Sequence, residues 1–392
     1  MDLFESNKVD LDLLKKRAFN LRWAELPEDV IPLTAADPDY KSAAEISEAI
    51  INYCKGQYFS YGPSEGLLEF KESVASFFVT KRNVPVVKDF VLPVDSAAYG
   101  IYVTCKTFLQ PGDEAIIFDP VDYLFRYAIE NVGAKAIPFS IPPNTPEVDF
   151  HNLENLITEK TKLICLCNPL NPTGKVFTED ELLTLGNIAI KHNVIILSDE
   201  IWSDIVYHPA KFVSIASLGK DIRNQTITVT GFSKSYGMAG LRIGLVVAHN
   251  EQHYKQILDI SLHKSTIHGV NVLSQIGAIA ALEKCDYWVE GFVAHTKKMR
   301  DLLVQEMNAI PNVSCTAPDG CYVAFINIKK TNKTSQEIYE LLLNEAKVAV
   351  VPGLEKWFGK GAEGYIRICF ATSEVILKEG ISRIKKCLTE KL

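Results

Sequence analysis

Thr230–Gly244 reads T-G-F-S-K-S-Y-G-M-A-G-L-R-I-G. It opens as the apolar run Ile227–Val229 ends, which places Ser233 and Lys234 just past a buried strand. Gly237, Gly240 and Gly244 permit tight turns and close approach of backbone to a ligand. A desolvated lysine loses basicity, and its neutral amine can form a Schiff base with an aldehyde. Arg242, eight residues beyond Lys234, can clamp a phosphate through paired N–H donors. Taken alone, the stretch reads first as a solvated lysine in a glycine-rich loop, since lysines are mostly exposed, and the rest of the chain has to overturn that reading.

On either side of this stretch, short apolar runs alternate with helical patterns. The runs are Val91–Val94, Ala115–Phe118, Ala134–Phe139, Leu163–Cys167, Val194–Leu197, Thr226–Val229 and Ile243–Ala248. Most lack polar alternation, as strands covered on both faces do. Helices are expected at Ala97–Leu109, Tyr123–Val132 and Thr178–His192, the last opened by the capping box Thr178-x-x-Glu181. A βα series of this kind predicts an α/β fold with a mostly parallel sheet between helices. Ligands bind such sheets beyond the carboxyl ends of the strands.

The flanking segments differ in character. Residues 1–41 read as an irregular arm with a short helix near Leu11–Leu21. A second capping box, Ser42-Ala-Ala-Glu45, predicts a helix ending at Gly56, and another helix is expected from about Ser64 to Arg82. The proline-rich Ile141–Pro146 reads as a loop. Helices are expected at Val272–Glu283 and Tyr287–Ile310. After Pro311 come strands Val313–Ala317, Tyr322–Ile328, Val348–Val351 and Tyr365–Phe370, with helices Ser335–Lys347 and Val375–Leu392. The division expected is 1–41 as an arm belonging to a small unit, 42–310 as the large unit, and 311–392 as a small α+β unit.

The chain has 392 residues, enough for two domains, and 47% are hydrophobic against 23% charged, which is a globular balance. A net charge of −7 without a basic cluster disfavours nucleic acid and anionic membrane as partners. The N-terminal M-D-L-F-E-S-N-K-V-D lacks the apolar core of a signal peptide, and no run has the length of a membrane span. The nine cysteines are scattered and odd in number, which suits reduced thiols and a cytoplasmic location. Cys165 and Cys167 lack the complementary Cys/His pair that a zinc site needs, so no metal is expected.

Further candidates fall at the expected strand ends. Asp199, in S-D-E-I-W, is a carboxylate that burial would oblige to find a partner, such as a protonated ring nitrogen. A helix cap is its ordinary alternative. Asn171, in the rigid loop N-P-L-N-P-T-G at Asn168–Gly174, can present an amide to a ring oxygen. Ser96-Ala97-Ala98 opens a helix where a phosphate or a plain N-cap would fit. Tyr123 can stack on a flat ring or pack in the core. Arg367, inside the strand Y-I-R-I-C-F, can hold a substrate carboxylate or a structural salt bridge.

With Y-G-P-S-E-G-L-L-E-F at Tyr61–Phe70, P-G-D-E, and V-P-G at Val351–Gly353, these motifs in this order resemble the class I/II aminotransferases, fold type I enzymes that use pyridoxal 5′-phosphate. The resemblance covers nearly the whole chain. It implies an aspartate aminotransferase-like large domain with a seven-stranded sheet and a smaller α+β domain. It implies transfer of an amino group from an L-amino acid to a 2-oxo acid by a ping-pong cycle. By the same resemblance, Lys234 forms the Schiff base and shuttles the proton, and Asp199 keeps the pyridine nitrogen protonated. Asn171 would bond the phenolic oxygen. Ser96, Ala97, Ala98, Ser233 and Arg242 would hold the phosphate, joined by Tyr61 from a neighbouring subunit of a homodimer. Arg367 would bind the α-carboxylate, and Ala36 in A-A-D-P-D-Y would line the substrate side.

Three positions depart from the family pattern. Trp202 stands where the family has a tyrosine, and Gly231 where it often has a serine. The usual stacking aromatic falls on Asp122, followed by Tyr123. A-A-D-P-D-Y and the non-tyrosine after D-E-I are also similar to the cystathionine β-lyase branch of the fold. The alternative function is therefore a pyridoxal phosphate C–S lyase that expels a thiol from Cβ.

Overall fold

The computed structural model describes residues 3–145 and 147–391. Its strands are β1 (Ile31–Pro32), β2 (Val91–Val94), β3 (Glu114–Asp119), β4 (Lys135–Ser140), β5 (Thr161–Cys167), β6 (Ile195–Asp199), β7 (Thr226–Gly231), β8 (Gly244–Ala248), β9 (Ser314–Cys315), β10 (Val323–Asn327), β11 (Val348–Ala349), β12 (Val351–Pro352) and β13 (Tyr365–Cys369).

The seven apolar runs build one seven-stranded sheet, ordered β2-β8-β7-β6-β5-β3-β4. Only β8 runs antiparallel to its neighbours, so the other six point the same way. The inner strands carry Val, Ile, Leu and Cys because helices cover both faces. Helix Ala97–Phe108 packs on β6, β7 and β8. Gly100 permits the close approach: a Cβ there would lie 2.9 Å from Val229 Cγ1.

A second sheet, ordered β12-β13-β10-β9, is antiparallel and centres Arg367 between Phe325 and Val351. β1 pairs in parallel with β11, tying the N-terminal arm to the C-terminal part of the chain. Helices Asp286–Asn308 and Glu374–Lys391 pack together beside it.

Several expected elements form differently. Ser42 does not cap a helix: its hydroxyl donates to Gly237 O (3.0 Å), and the helix runs from Ala44 to Cys54 with Ala43 at its N-cap. The next helix begins at Leu68, because Gly66 adopts φ +95° and Leu67 N donates to Gln275 Oε1. The arm holds two short helices, Leu11–Lys16 and Leu21–Glu25, broken at Phe19, whose φ is +50°. Asn20 caps the second through Arg22 N and Trp23 N. Val348–Val351 divides into β11 and β12, and Ser335–Leu341 is followed by a π-helical stretch, Leu342–Ala346. Helix Glu251–Ile260 is an element the apolar pattern did not announce. Pro146 and Leu392, at the ends of two expected elements, lie outside the described residues.

Candidate active site

The carboxyl ends of β3, β5, β6 and β7 lie side by side, and the loops leaving them carry the candidate residues. Asp199 ends β6 opposite Cys167 and Val229. It is buried, and its Oδ1 accepts from Ile201 N (3.0 Å). Burial pushes its carboxyl up to about 7, and the neighbouring carboxylates of Asp122 and Glu200 add to the rise. Glu200, also buried, accepts from Ser214 Oγ (2.7 Å) and Ser198 Oγ (3.2 Å).

Three chain segments meet where β2, β7 and β8 join. Val94 and Gly231 both lie opposite Gly244. Ser96 therefore comes beside Ser233 and Arg242, each two residues from a paired strand end. Ser96 caps helix Ala97–Phe108, accepting from Tyr99 N (3.1 Å). A Cβ on Gly244 would lie 2.5 Å from Ala97 N, so only glycine lets the helix start against this strand. Arg242 adopts φ +49° after the turn Ala239–Leu241 and is exposed. The N-terminus of the helix and the segments that carry Ser233 and Arg242 thus meet at adjoining strand ends, an arrangement suited to a phosphate.

Lys234 Nζ donates to Ala36 O (2.6 Å) and lies 5.3 Å from the Trp202 ring centroid. Burial lowers its pKa; Asp37 opposes the shift and Arg367 deepens it. Tyr322 Oη also donates to Ala36 O (3.2 Å), and its ring meets buried Trp202 edge-on at 4.7 Å. Arg367, buried on β13, donates from Nη1 to Asn171 Oδ1 (3.0 Å) and from Nη2 to Thr34 O (3.2 Å). Its Nε is buried without a hydrogen-bond partner among the described residues. Asn171 Nδ2 in turn donates to Asp122 Oδ2 (2.8 Å). The chain Asp122–Asn171–Arg367 thus links loops of the large sheet to the small one.

Lys234, Asp199, Asn171, Arg367 and Ala36 are therefore drawn together, with Ser96–Ala98, Ser233 and Arg242 at the adjoining strand ends. Two candidates stand apart. Tyr123, 40% exposed, meets Trp357 edge-on at 5.4 Å, and it is Asp122 that joins Asn171. Tyr61, 88% exposed, packs edge-on against His268 at 5.0 Å. Sequence reasoning missed Asp37 and Tyr322. The arm around Asp37 read as irregular, and Tyr322 read as one apolar strand residue among several. The available signal was the polar run A-A-D-P-D-Y, too acidic for an idle connector.

The residues present fit pyridoxal phosphate. A buried carboxylate with a raised pKa gains from a protonated ring nitrogen, the corner at Ser96 suits a phosphate, and Lys234 offers an amine of lowered basicity in the same space. Among the described residues, no group of three or more His, Cys, Asp or Glu is placed to hold a metal ion. No described helix is long and apolar enough to cross a membrane.

This arrangement defines a fold type I enzyme, and the comparisons place it more closely. Residues 28–384 match the model of the family described as aminotransferase class I and II, and the chain belongs to that family. An aspartate aminotransferase of Bacillus subtilis strain 168 is 32% identical over 364 residues, 91% of each chain. A PLP-bound structure from Clostridium difficile 630 superposes with a TM-score of 0.89 at 28% identity, covering 95% of this chain and 97% of that one. Cystalysin from Treponema denticola, whose structure contains pyridoxal 5′-phosphate, superposes with a TM-score of 0.90 at 23% identity, covering 99% and 98%, and shows the fold. The protein is a pyridoxal-phosphate-dependent aminotransferase acting on amino acids and 2-oxo acids. The family match and the named relative carry this reading and give the C–S lyase alternative no support.

Proposed function

We propose that Lys234 is the amine that joins the cofactor and that the residues gathered around it divide the work of transamination. The observation that carries this is the position of its Nζ, 2.6 Å from Ala36 O, where its charge is felt by buried Asp199 and opposed by buried Arg367. When bound, the cofactor supplies an aldehyde that takes up the amino group and a ring that draws electrons from the substrate Cα.

Asp199 holds a proton on the ring nitrogen. Asn171 turns one N–H toward the phenolic oxygen while the other stays on Asp122, as its two amide hydrogens allow. Ser96, Ala97, Ala98, Ser233 and Arg242 hold the phosphate. Arg367 takes the substrate α-carboxylate in a fork, its free Nε supplying a further donor. Lys234 Nζ, its basicity lowered by burial, removes the proton from Cα and returns it at the carbon that receives the amino group. Trp202 and Tyr322 wall this space and exclude water.

Tyr58, Phe59 and Tyr61 form an exposed aromatic run, which supports a homodimer in which Tyr61 reaches the partner's phosphate corner. The boundaries 1–41, 42–310 and 311–392 are part of the same reading, supported by the β1–β11 pairing that fastens the arm to the small unit. A cytoplasmic enzyme with reduced thiols fits the nine free cysteines.

Borohydride reduction of the holoenzyme, then peptide mass spectrometry, tests the assignment. The cofactor mass belongs on the peptide containing Lys234. Its appearance on another lysine, or on none, would overturn the assignment.

A further inference from the structure

A cavity of about 570 Å³ opens from Lys234 toward the N-terminal arm. Leu13, Leu14 and Phe19 form its apolar wall, and Asp37 lines it beside Ala36, the residue that accepts from Lys234. The charges of this space do not balance. Asp39 accepts from buried Arg22 (2.5 Å) and from Trp23 Nε1 (2.8 Å), so those two ions are committed to each other. Lys41 and Asp10 stand exposed at the rim, Asp10 capping the helix Leu11–Lys16. Asp37, by contrast, accepts at its side chain, among the described residues, a neutral amide from Asn20 (Nδ2, 3.0 Å). Across the site, Asp122 likewise accepts from neutral donors, Asn171 Nδ2 (2.8 Å) and Leu124 N (3.2 Å).

On the function proposed above, the cations of the site are already assigned. Arg367 meets the α-carboxylate, the protonated ring nitrogen meets Asp199, and Lys234 is joined to the cofactor. The Nε of buried Arg367 has no partner among the described residues while Nη2 of the same group donates to Thr34 O next to the cavity wall, which independently marks a carboxylate ligand here. The cations that act on Asp37 are Lys234 and Arg22, and those that act on Asp122 are Arg367 and Lys234. With Arg22 held by Asp39 and the other two engaged by cofactor and α-carboxylate, Asp37 and Asp122 keep only neutral hydrogen-bond donors among the described residues. A dicarboxylic substrate would add a further negative charge beside these two, whereas a cationic side chain would offset them.

We infer that this enzyme selects an L-amino acid whose side chain ends in an ammonium or guanidinium group, received by Asp37 in the cavity beneath the arm and favoured by Asp122. The arm supplies apolar surface for the methylene stem, and Asp37 supplies the acceptor at its end.

The inference rests on the aminotransferase reading, and the test separates the two. The holoenzyme is mixed with lysine, ornithine, arginine, leucine, aspartate or glutamate without a 2-oxo acid, and conversion of the cofactor band is followed. In parallel, calorimetry measures binding of 5-guanidinopentanoate and glutarate, which have no α-amino group to react. The basic amino acids should convert the cofactor with the highest kcat/KM. The guanidino acid should bind at least about tenfold tighter than glutarate. In Asp37→Asn, and separately in Asp122→Asn, that ratio should collapse toward one. Faster conversion by aspartate or glutamate, tighter binding of glutarate, or equal weakening of both ligands in the variants would overturn the inference while leaving the aminotransferase intact. Failure of every amino acid to convert the cofactor would defeat both readings.

Discussion

Asp199 closes β6 in a space with little water, and its carboxyl sits at about 7 in the protein against 3.8 in an open chain. Between those values the folded chain holds a proton that the unfolded chain has released. Stability of the cofactor-free protein therefore falls as pH rises from about 4 to about 7. For Asp199 alone the loss is at most about 4 kcal/mol. Glu200, also raised to about 7, falls in the same window. Thermal unfolding of the cofactor-free protein should thus show a Tm that drops between pH 4 and pH 7. Asp199→Asn should flatten part of that drop, and added pyridoxal phosphate should reverse it in the wild type only. An unchanged slope in the variant would remove Asp199 from this account. Lys234 is displaced the opposite way by the same burial. Lys234→Ala should leave the fold melting normally and slow transamination by at least about 10²–10⁴-fold, the usual worth of a placed proton-transfer group. Steady-state rates beside circular dichroism melts separate those outcomes. At this scale the sequence was legible where a residue sat at a predicted strand end, as Lys234 and Asp199 do. It was not legible for Asp37, whose role depends on a partner 197 positions away.

Helix Glu179–His192 begins with a formed capping box in which Thr178 and Glu181 exchange hydrogen bonds. Glu181 also accepts from Val148 N and pairs with Lys175. Thr178→Ala should cost about 1 kcal/mol in urea unfolding without changing activity per folded molecule. Gly244→Ala acts elsewhere, because the added methyl would press on Ala97 N at 2.5 Å. Displacing that helix start should weaken cofactor binding on the order of tenfold, read by fluorescence titration, and more than it weakens substrate binding. Elements were most readable where one local pattern decided the outcome. The apolar runs of the large sheet paired as expected, because burial on both faces leaves few other places for them. The box at Ser42 has the same letters as the one at Thr178, yet Ser42 bonds Gly237 O, from a segment nearly 200 residues away in sequence. A long-range acceptor outcompeted the local one, and nothing in the local pattern could signal it.

The whole molecule joins two sheets through the loop that carries Asn171 and the strand that carries Arg367. Substrate bound between them would be held from both sides. Tyr58 and Tyr61 remain 81% and 88% exposed on the single chain, so the molecule in solution should sediment at about twice 43.7 kDa. If sites are shared, mixing inactive Tyr61→Ala and Lys234→Ala chains should rebuild one intact site per mixed dimer. Activity should then recover to about a quarter of wild type; no recovery would place Tyr61 outside the partner's site. The most direct test of the central claim is the absorbance of the purified holoenzyme during addition of a single L-amino acid with no 2-oxo acid present. Aminotransfer predicts stoichiometric loss of the visible band of the cofactor joined to Lys234, and its return when a 2-oxo acid is added. A band that persists while the amino acid is consumed continuously, with release of pyruvate, would contradict it.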